Sequence, residues 1–111
     1  MAIQLFGKSK CFDTKKAERF FKERGIAVQR VDLARKGLSR GELQSVLQAV
    51  GGVDALLDDK AKDAALVRYL AHESDREQKL LENPLLLRTP IVRNGRLATV
   101  GYRPEIWKEW I

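Results

Sequence analysis

Cys11 is the only cysteine among the 111 residues, and a thiol is both a nucleophile and a redox centre. It follows the short loop 8–10 and directly precedes an amphipathic helical pattern. The unpaired N–H groups and the positive dipole end of a helix N-terminus favour a thiolate, which is the reactive form. The lysines that add to this field are Lys8, Lys10, Lys15 and Lys16. The pattern predicts a reactive thiol; the alternative is a small buried hydrophobic residue.

Thr14 lies three positions after Cys11, where a dithiol protein would carry its second cysteine. Its hydroxyl either donates a hydrogen bond to the thiolate or caps the helix, and the sequence leaves both interpretations open. Since no resolving thiol is available, an oxidised Cys11 needs an outside thiol for its reduction or persists as a mixed disulfide.

Hydrophobic periodicity predicts the elements that position the thiol. A short buried strand spans 3–7, a helix runs from near Cys11 to a glycine cap at Gly25, and a second strand spans 26–33. These elements place Cys11 between a strand and a helix.

The second half of the chain begins with a capping box of Ser39 and Glu42, which opens a helix that ends at Gly51. A broken helical pattern follows over 53–81, and Ser74 with Glu77 predicts a second capping box within it. Two short runs, 90–93 and 96–100, flank Asn94-Gly95 and predict a β-hairpin, and Pro104 opens a terminal helix. No repeat or linker interrupts this order, so we expect one domain over 1–111.

Composition narrows the class of protein. Hydrophobic residues make up 44% and charged residues 32%, no apolar run approaches the ~20 residues of a membrane helix, and no export signal is visible. We therefore expect a cytoplasmic protein without a disulfide or a membrane partner. The net charge is +6, but basic residues are interleaved with acidic ones along the chain and no nucleic-acid motif is present. The charge favours steering of anionic ligands over direct nucleic-acid binding.

Several other residues are candidates for a site. Pro90 begins a strand, and most X-Pro bonds are trans, so its position alone does not predict a cis bond. Arg88, Arg96 and Arg103 either converge on an anion or are solvated surface charges. His72 has no partner at metal-ligand spacing, so we expect a surface or structural role for it and no metal site.

The order and spacing of several segments resemble the arsenate reductase and Spx family, the ArsC-like branch of the thioredoxin fold. The segments are Leu5-Phe6-Gly7, Lys10-Cys11-Phe12-Asp13-Thr14-Lys15-Lys16-Ala17, Val53-Asp54-Ala55-Leu56-Leu57, Pro84-Leu85-Leu86-Leu87-Arg88-Thr89-Pro90-Ile91-Val92 and Val100-Gly101-Tyr102-Arg103-Pro104-Glu105. The resemblance implies an α/β thioredoxin-like fold with a mixed four-stranded sheet and a helical insertion at about 39–84. It also implies that Pro90 is a cis-proline packed beside Cys11.

The same resemblance implies a catalytic thiol that attacks arsenate, arginines that hold the oxyanion, and glutathione and glutaredoxin as electron donors. Cys11 matches the nucleophile and Arg103 matches the last anion-binding arginine. The remaining positions differ from the family pattern. Thr89 stands where the family has an arginine before the cis-proline, and Arg88 lies one place earlier. Asp58 stands where the family has another arginine, and Lys60 lies nearby. Gly7 stands in place of an activating histidine, and Lys15 in place of an arginine.

These replacements argue against arsenate as the native substrate, because a lysine does not reproduce an arginine fork and an aspartate repels an oxyanion. We predict a single-cysteine thiol oxidoreductase with no bound cofactor, in which Cys11 is the nucleophile in thiol–disulfide or oxyanion reduction. Its co-substrate would be glutathione or another small thiol, or a glutaredoxin-type reductant. The alternative is an Spx-like regulator that binds RNA polymerase without catalysis. A third possibility is a protein that has kept the fold and lost the chemistry.

Overall fold

The computed structural model describes residues 3–111. We expect no export signal at the N-terminus; the first two residues of that segment, Met1 and Ala2, lie outside the described residues. The strands are β1 (Ile3–Gly7), β2 (Val28–Asp32), β3 (Ile91–Asn94) and β4 (Leu97–Val100). The helices are α1 (Phe12–Glu23), α2 (Arg40–Val50), α3 (Val53–Leu56), α4 (Ala64–Arg68), α5 (Glu73–Glu82) and α6 (Pro104–Trp107), with 3-10 turns at Pro84–Leu86 and Lys108–Trp110.

The four strands form one mixed sheet in the order β2-β1-β3-β4. Strand β1 runs parallel to β2 and antiparallel to β3, and β3 runs antiparallel to β4. This arrangement confirms the expected mixed four-stranded sheet. Strand β1 is central, so its carboxyl end, from which the loop to Cys11 leaves, is held by neighbours on both sides.

One face of the sheet is covered by α1 and the C-terminal helix. Ile3 and Leu5 from β1 pack there with Phe20, Phe21 and the fully buried Trp107. The rings of Phe21 and Trp107 lie 5.2 Å apart between centroids, and the Trp107 indole N–H donates to the Thr99 hydroxyl over 2.8 Å. Alternation along β1 sends Ile3 and Leu5 to this face and Phe6 to the other, as a strand covered on both faces requires.

The opposite face carries the larger core, to which helices α2 to α5 contribute. After α5 the chain returns to the sheet through a segment pinned by backbone hydrogen bonds. The Asp58 N–H donates to the Leu86 carbonyl over 2.8 Å, and the Arg88 N–H donates to the Leu56 carbonyl over 2.6 Å. These bonds fix the position of the chain just before Pro90.

Two local signals read from the sequence differ in their outcome. The capping box of Ser39 and Glu42 is confirmed, with both reciprocal hydrogen bonds present. The predicted box of Ser74 and Glu77 is wrong, because α5 begins earlier, with His72 as its N-cap and no side-chain cap. The Arg76 guanidinium bonds the carbonyls of Leu70 and Arg68 and thereby ties the preceding turn to α5.

The predicted hairpin is present, but its turn is shifted by one residue. Asn94 belongs to β3, pairs with Leu97 and is buried, so the two turn residues are Gly95 and Arg96. Gly95 has a φ of +61° and Arg96 does not have a positive φ. A single positive φ at the first turn position is typical of a type II′ turn, which favours glycine there.

Among the described residues, no helix has the length and apolar character needed to cross a membrane.

Candidate active site

Cys11 is the N-cap of α1. Its backbone is extended, with φ −90° and ψ 118°, its N–H donates to the Lys8 carbonyl over 3.1 Å, and its carbonyl accepts from the Lys15 N–H over 3.3 Å. The side chain is partly exposed. The thiol therefore lies where the first N–H groups of a 12-residue helix are free to interact with a negative charge.

Thr14 lies one turn further along α1 and is 1% exposed. Within the part of the chain that the structure describes, its buried hydroxyl has no hydrogen-bond partner. A buried hydroxyl without a partner is energetically costly, and a thiolate at Cys11 relieves that cost by accepting a hydrogen bond from it. This geometry favours the first of the two interpretations of Thr14, a donor to the sulfur, because no capping hydrogen bond from its side chain is present.

Gly7 leaves the space that Thr14 occupies. A Cβ added at Gly7 would lie 2.8 Å from the Thr14 hydroxyl oxygen and closer still to its methyl carbon. Both contacts are shorter than atoms tolerate. Gly7 and Thr14 are therefore sterically linked.

The Thr89 backbone lies beside the thiol, directly before Pro90. The Thr89–Pro90 peptide bond is cis, and Pro90 is buried at the start of β3. The Cys11 thiol donates to the Thr89 carbonyl oxygen at a sulfur–oxygen distance of 3.7 Å. We refer to Cys11, Thr14, Thr89 and Pro90 as the thiol site.

The pKa of the Cys11 thiol is lowered from its ordinary value. Burial is the largest single influence and raises the pKa, but the hydroxyls of Thr14 and Thr89 and the backbone N–H groups of Thr14 and Asp13 together outweigh it. The lowering thus comes from hydrogen bonds to the thiolate.

Three of the four lysines near Cys11 have other partners. The Lys8 ammonium pairs with Asp58 over 3.2 Å and donates to the Leu85 carbonyl over 2.9 Å. Lys15 and Lys16 lie over the rings of Phe12 and Tyr102, with the ammonium nitrogen 5.8 and 5.7 Å from the respective centroids. Lys10 is exposed. The lysines expected to act on the thiol are therefore secondary to its hydrogen bonds.

The Lys8–Asp58 pair was not foreseen from the sequence, since its members are 50 positions apart. Burial raises the pKa of the Asp58 carboxyl, but the Lys60 N–H and the Lys8 ammonium lower it more, so the group stays ionised. The role predicted for Lys60 was anion binding. Its backbone N–H bonds Asp58 over 3.0 Å, and its side chain is exposed.

Arg88 and Arg103 come together, but away from the sulfur. They line a hollow of about 330 Å³ with Val50, Thr99 and Ile106, among others, and Cys11 does not line it. We call this the arginine hollow. The Arg88 guanidinium bonds the Ala55 carbonyl over 3.4 Å, and that of Arg103 lies 3.8 Å from the Glu105 carboxylate.

Phe12 is a feature of the thiol site that sequence reasoning did not single out. It is 78% exposed and follows Cys11 directly, so an apolar ring borders the nucleophile on its solvent side. Phe12 is the first residue of α1 and does not belong to its buried face, which is formed by Thr14, Ala17, Phe20 and Phe21. The spacing of apolar residues along the helix could therefore have predicted that Phe12 is exposed.

Residues 3–111 contain no group of three or more His, Cys, Asp or Glu side chains arranged to hold a metal ion.

Comparison with known proteins places the chain in a family. Residues 6–110 match the ArsC family. The global transcriptional regulator Spx 2 of Oceanobacillus iheyensis is 30% identical over 99% of this chain and 93% of the relative. An uncharacterised protein of Bacillus subtilis, YusI, is 24% identical over 98% of both chains.

Solved structures share the fold. The arsenate reductase from Vibrio cholerae superposes with a TM-score of 0.85 at 22% identity, covering 100% of this chain and 98% of the other. A putative ArsC family related protein from Bacteroides fragilis also gives 0.85, at 19% identity and full coverage of both chains. The glutaredoxin-like NrdH-redoxin from Escherichia coli gives 0.52 at 15% identity. The match over 105 of 111 positions, residues 6–110, shows that the chain belongs to the ArsC family.

Proposed function

We propose that the protein is a single-cysteine thiol oxidoreductase in which Cys11 is the nucleophile. The observation that carries this proposal is the surrounding of the sulfur. Cys11 is partly exposed, caps a helix N-terminus, and adjoins a buried Thr14 hydroxyl that has no other partner among residues 3–111. This set of groups stabilises the thiolate relative to the thiol and lowers the thiol pKa.

The reaction is thiol–disulfide exchange. The Cys11 thiolate attacks one sulfur of a substrate disulfide, a new sulfur–sulfur bond forms to Cys11, and the other substrate sulfur leaves as a thiolate. Because Thr14 replaces a resolving cysteine, a small thiol such as glutathione, or a glutaredoxin-type reductant, attacks the mixed disulfide. That step returns the Cys11 thiolate and leaves the oxidising equivalent on the reductant. A reduced thiol pool of this kind fits a cytoplasmic location.

The surroundings of Cys11 support a disulfide better than an arsenate substrate. An oxyanion bound at the sulfur needs cationic donors around it, whereas Arg88 and Arg103 line a hollow that Cys11 does not reach. The position of a further family arginine is held by Asp58, which is neutralised by Lys8.

The test is the rate of iodoacetamide alkylation against pH, with Cys11→Ser as the blank and the unfolded protein as the reference. We expect the folded protein to label with a midpoint below the ~8.5 of a free thiol. Turnover of a glutathione mixed disulfide on a model peptide should follow the same pH profile. A midpoint at or above the unfolded reference would refute the reactive-thiol proposal.

The alternative function is an Spx-like regulator that binds RNA polymerase. Its support is the relative named a global transcriptional regulator, which is 30% identical over nearly the whole chain. Pull-down of purified RNA polymerase distinguishes the two functions. Retention of polymerase by both the wild type and Cys11→Ser, together with absent exchange activity, would favour the regulator.

A further inference from the structure

A cationic strip runs along the solvent face of α1, on the side of the helix that the thiol chemistry does not use. Two adjoining hollows of about 490 and 570 Å³ share Arg19 and Glu23. Together they are lined by six basic side chains, Lys15, Lys16, Arg19, Lys22, Arg24 and Lys108. We call these six residues the α1 strip.

The charge of the strip is poorly balanced. Only two carboxylates line the same hollows, Glu18 and Glu23, and Glu18 is already paired with Arg30 over 2.8 Å. Among the described residues, Arg19 and Lys108 form no ion pair or side-chain hydrogen bond within the fold. Such clustering raises the local positive potential and attracts anionic groups of a partner.

The strip is mounted on rigid elements. The Phe20 and Trp107 rings lie 5.4 Å apart between centroids, and those of Tyr102 and Trp107 lie 5.6 Å apart, so α1 and the segment 102–108 are joined through one aromatic cluster. Trp107 is fully buried. A surface whose two sides are fixed to one core keeps its shape when a partner binds.

We propose that the α1 strip is a docking surface for an acidic segment of a partner protein. This inference goes beyond the proposed thiol chemistry and does not depend on it. The length of α1, 12 residues, or ~18 Å at 1.5 Å per residue, suits an extended peptide with several carboxylates better than one small anion. Glu23 offers a site for a basic residue of the same partner.

Nucleic acid fits this surface less well. Base stacking needs free aromatic faces, but the Arg24 guanidinium covers the Phe20 ring at 3.8 Å and Lys16 covers Tyr102. The carboxylates of Glu18 and Glu23 interrupt the row of cations and would repel a continuous phosphate backbone. Carboxylates spaced along a peptide can avoid them.

The experiment measures binding of a fluorescein-labelled peptide of alternating glutamate and serine by fluorescence anisotropy, with a single-stranded DNA of equal charge as competitor. We expect the peptide to bind the wild type and the K16E/R19E variant to lose at least about tenfold in affinity. The matched control is R35E/K36E, which makes the same change of net charge at two exposed residues outside the strip. It should lose much less affinity.

Amide chemical shifts give a second readout, because the peptide should perturb α1 and residues 102–108 selectively. Cys11→Ser should bind the peptide as the wild type does, which separates this surface from the thiol chemistry. Equal losses in K16E/R19E and R35E/K36E would overturn the proposal, since net charge alone would then explain binding. Tighter binding of the DNA, or no binding of the peptide, would overturn it as well.

Discussion

The thiol site and the arginine hollow meet at adjacent residues of one segment but differ in chemistry. The Thr89 carbonyl accepts from the Cys11 thiol and the Thr89 hydroxyl stabilises the thiolate, whereas Arg88, one position earlier, lines a hollow that Cys11 does not line. A shift of one residue thus moves a cation from one side of the segment to the other. The contrast indicates that hydrogen-bond donors rather than cations stabilise the thiolate, and that Arg88 and Arg103 line a separate hollow.

Loss of the Cys11 sulfur should have the largest effect on disulfide exchange, whereas changes in the arginine hollow should have little effect. Cys11→Ser removes the nucleophile, so we expect disulfide exchange to fall to the uncatalysed background. Arg88→Ala with Arg103→Ala should leave the exchange rate within about twofold of the wild type, because neither guanidinium touches the sulfur. Steady-state exchange with a glutathione mixed disulfide measures both.

A strong loss of exchange in the double arginine variant, with stability retained, would break the comparison. It would mean that the arginine hollow binds the substrate during the reaction.

Removal of the Thr14 hydroxyl should have the next largest effect. Thr14→Val keeps the shape beside Gly7 but deletes the donor to the thiolate, so the thiol pKa should rise and less thiolate should be present at pH 7. We expect exchange at pH 7 to slow severalfold, because the greater nucleophilicity of a more basic thiolate only partly offsets the smaller thiolate fraction. The alkylation midpoint against pH measures the shift directly.

Thr14→Ser is the matched control, since it retains the hydroxyl and should keep the midpoint near that of the wild type. An unchanged midpoint in Thr14→Val would show that the Thr89 hydroxyl and the backbone N–H groups of α1 set the thiol pKa without the Thr14 hydroxyl.

Gly7→Ala should test the steric link that holds Thr14 in place. The added methyl meets the Thr14 side chain, so we expect the free energy of unfolding to fall by about 1–3 kcal/mol. Gly41→Ala is the matched control, because nothing lies within 4 Å of the added carbon and alanine favours a helix. Urea denaturation measures both variants.

The double variant with Thr14→Ala sharpens this test. Shortening Thr14 should relieve part of the clash, so the two changes should cost less together than the sum of each alone. Additive losses would contradict the proposed contact between Gly7 and Thr14.

Local chemistry explains which features the sequence could predict. The capping box at Ser39 and the helix start after Cys11 depend on residues within one turn, so short-range patterns identified them. The same logic misplaced the box at Ser74, since α5 already begins at Glu73. The Arg76 guanidinium donates to the carbonyls of Leu70 and Arg68, which lie before the four residues of the predicted box. The mixed sheet was predicted from the family resemblance, because strand order depends on long-range pairing that hydrophobic periodicity does not reveal.

The candidate site divides in the same way. Cys11 and Thr14 share one helix turn, and their proximity follows from spacing alone. The direction of the Arg88 side chain and the pairing of Lys8 with Asp58 depend on how the segments before β3 and after α3 meet, which only the tertiary structure reveals. The boundary of the helical insertion at about 39–84 stays a prediction.

Asp58→Asn should have the smallest effect and should show whether this residue serves the fold or the thiol site. The pKa of Asp58 is lowered in the folded protein, so its ionised form adds stability that is present above the unfolded value of ~3.9 and is lost as the pH falls through the folded value. The variant should lose less than about 1 kcal/mol at pH 7, because the ion pair with Lys8 is partly exposed, and should match the wild type in stability at acid pH. Urea denaturation across pH measures this, with Lys8→Met expected to give a similar loss at pH 7. Exchange activity should be unchanged; a faster reaction in Asp58→Asn would show instead that the carboxylate repels the substrate from the sulfur.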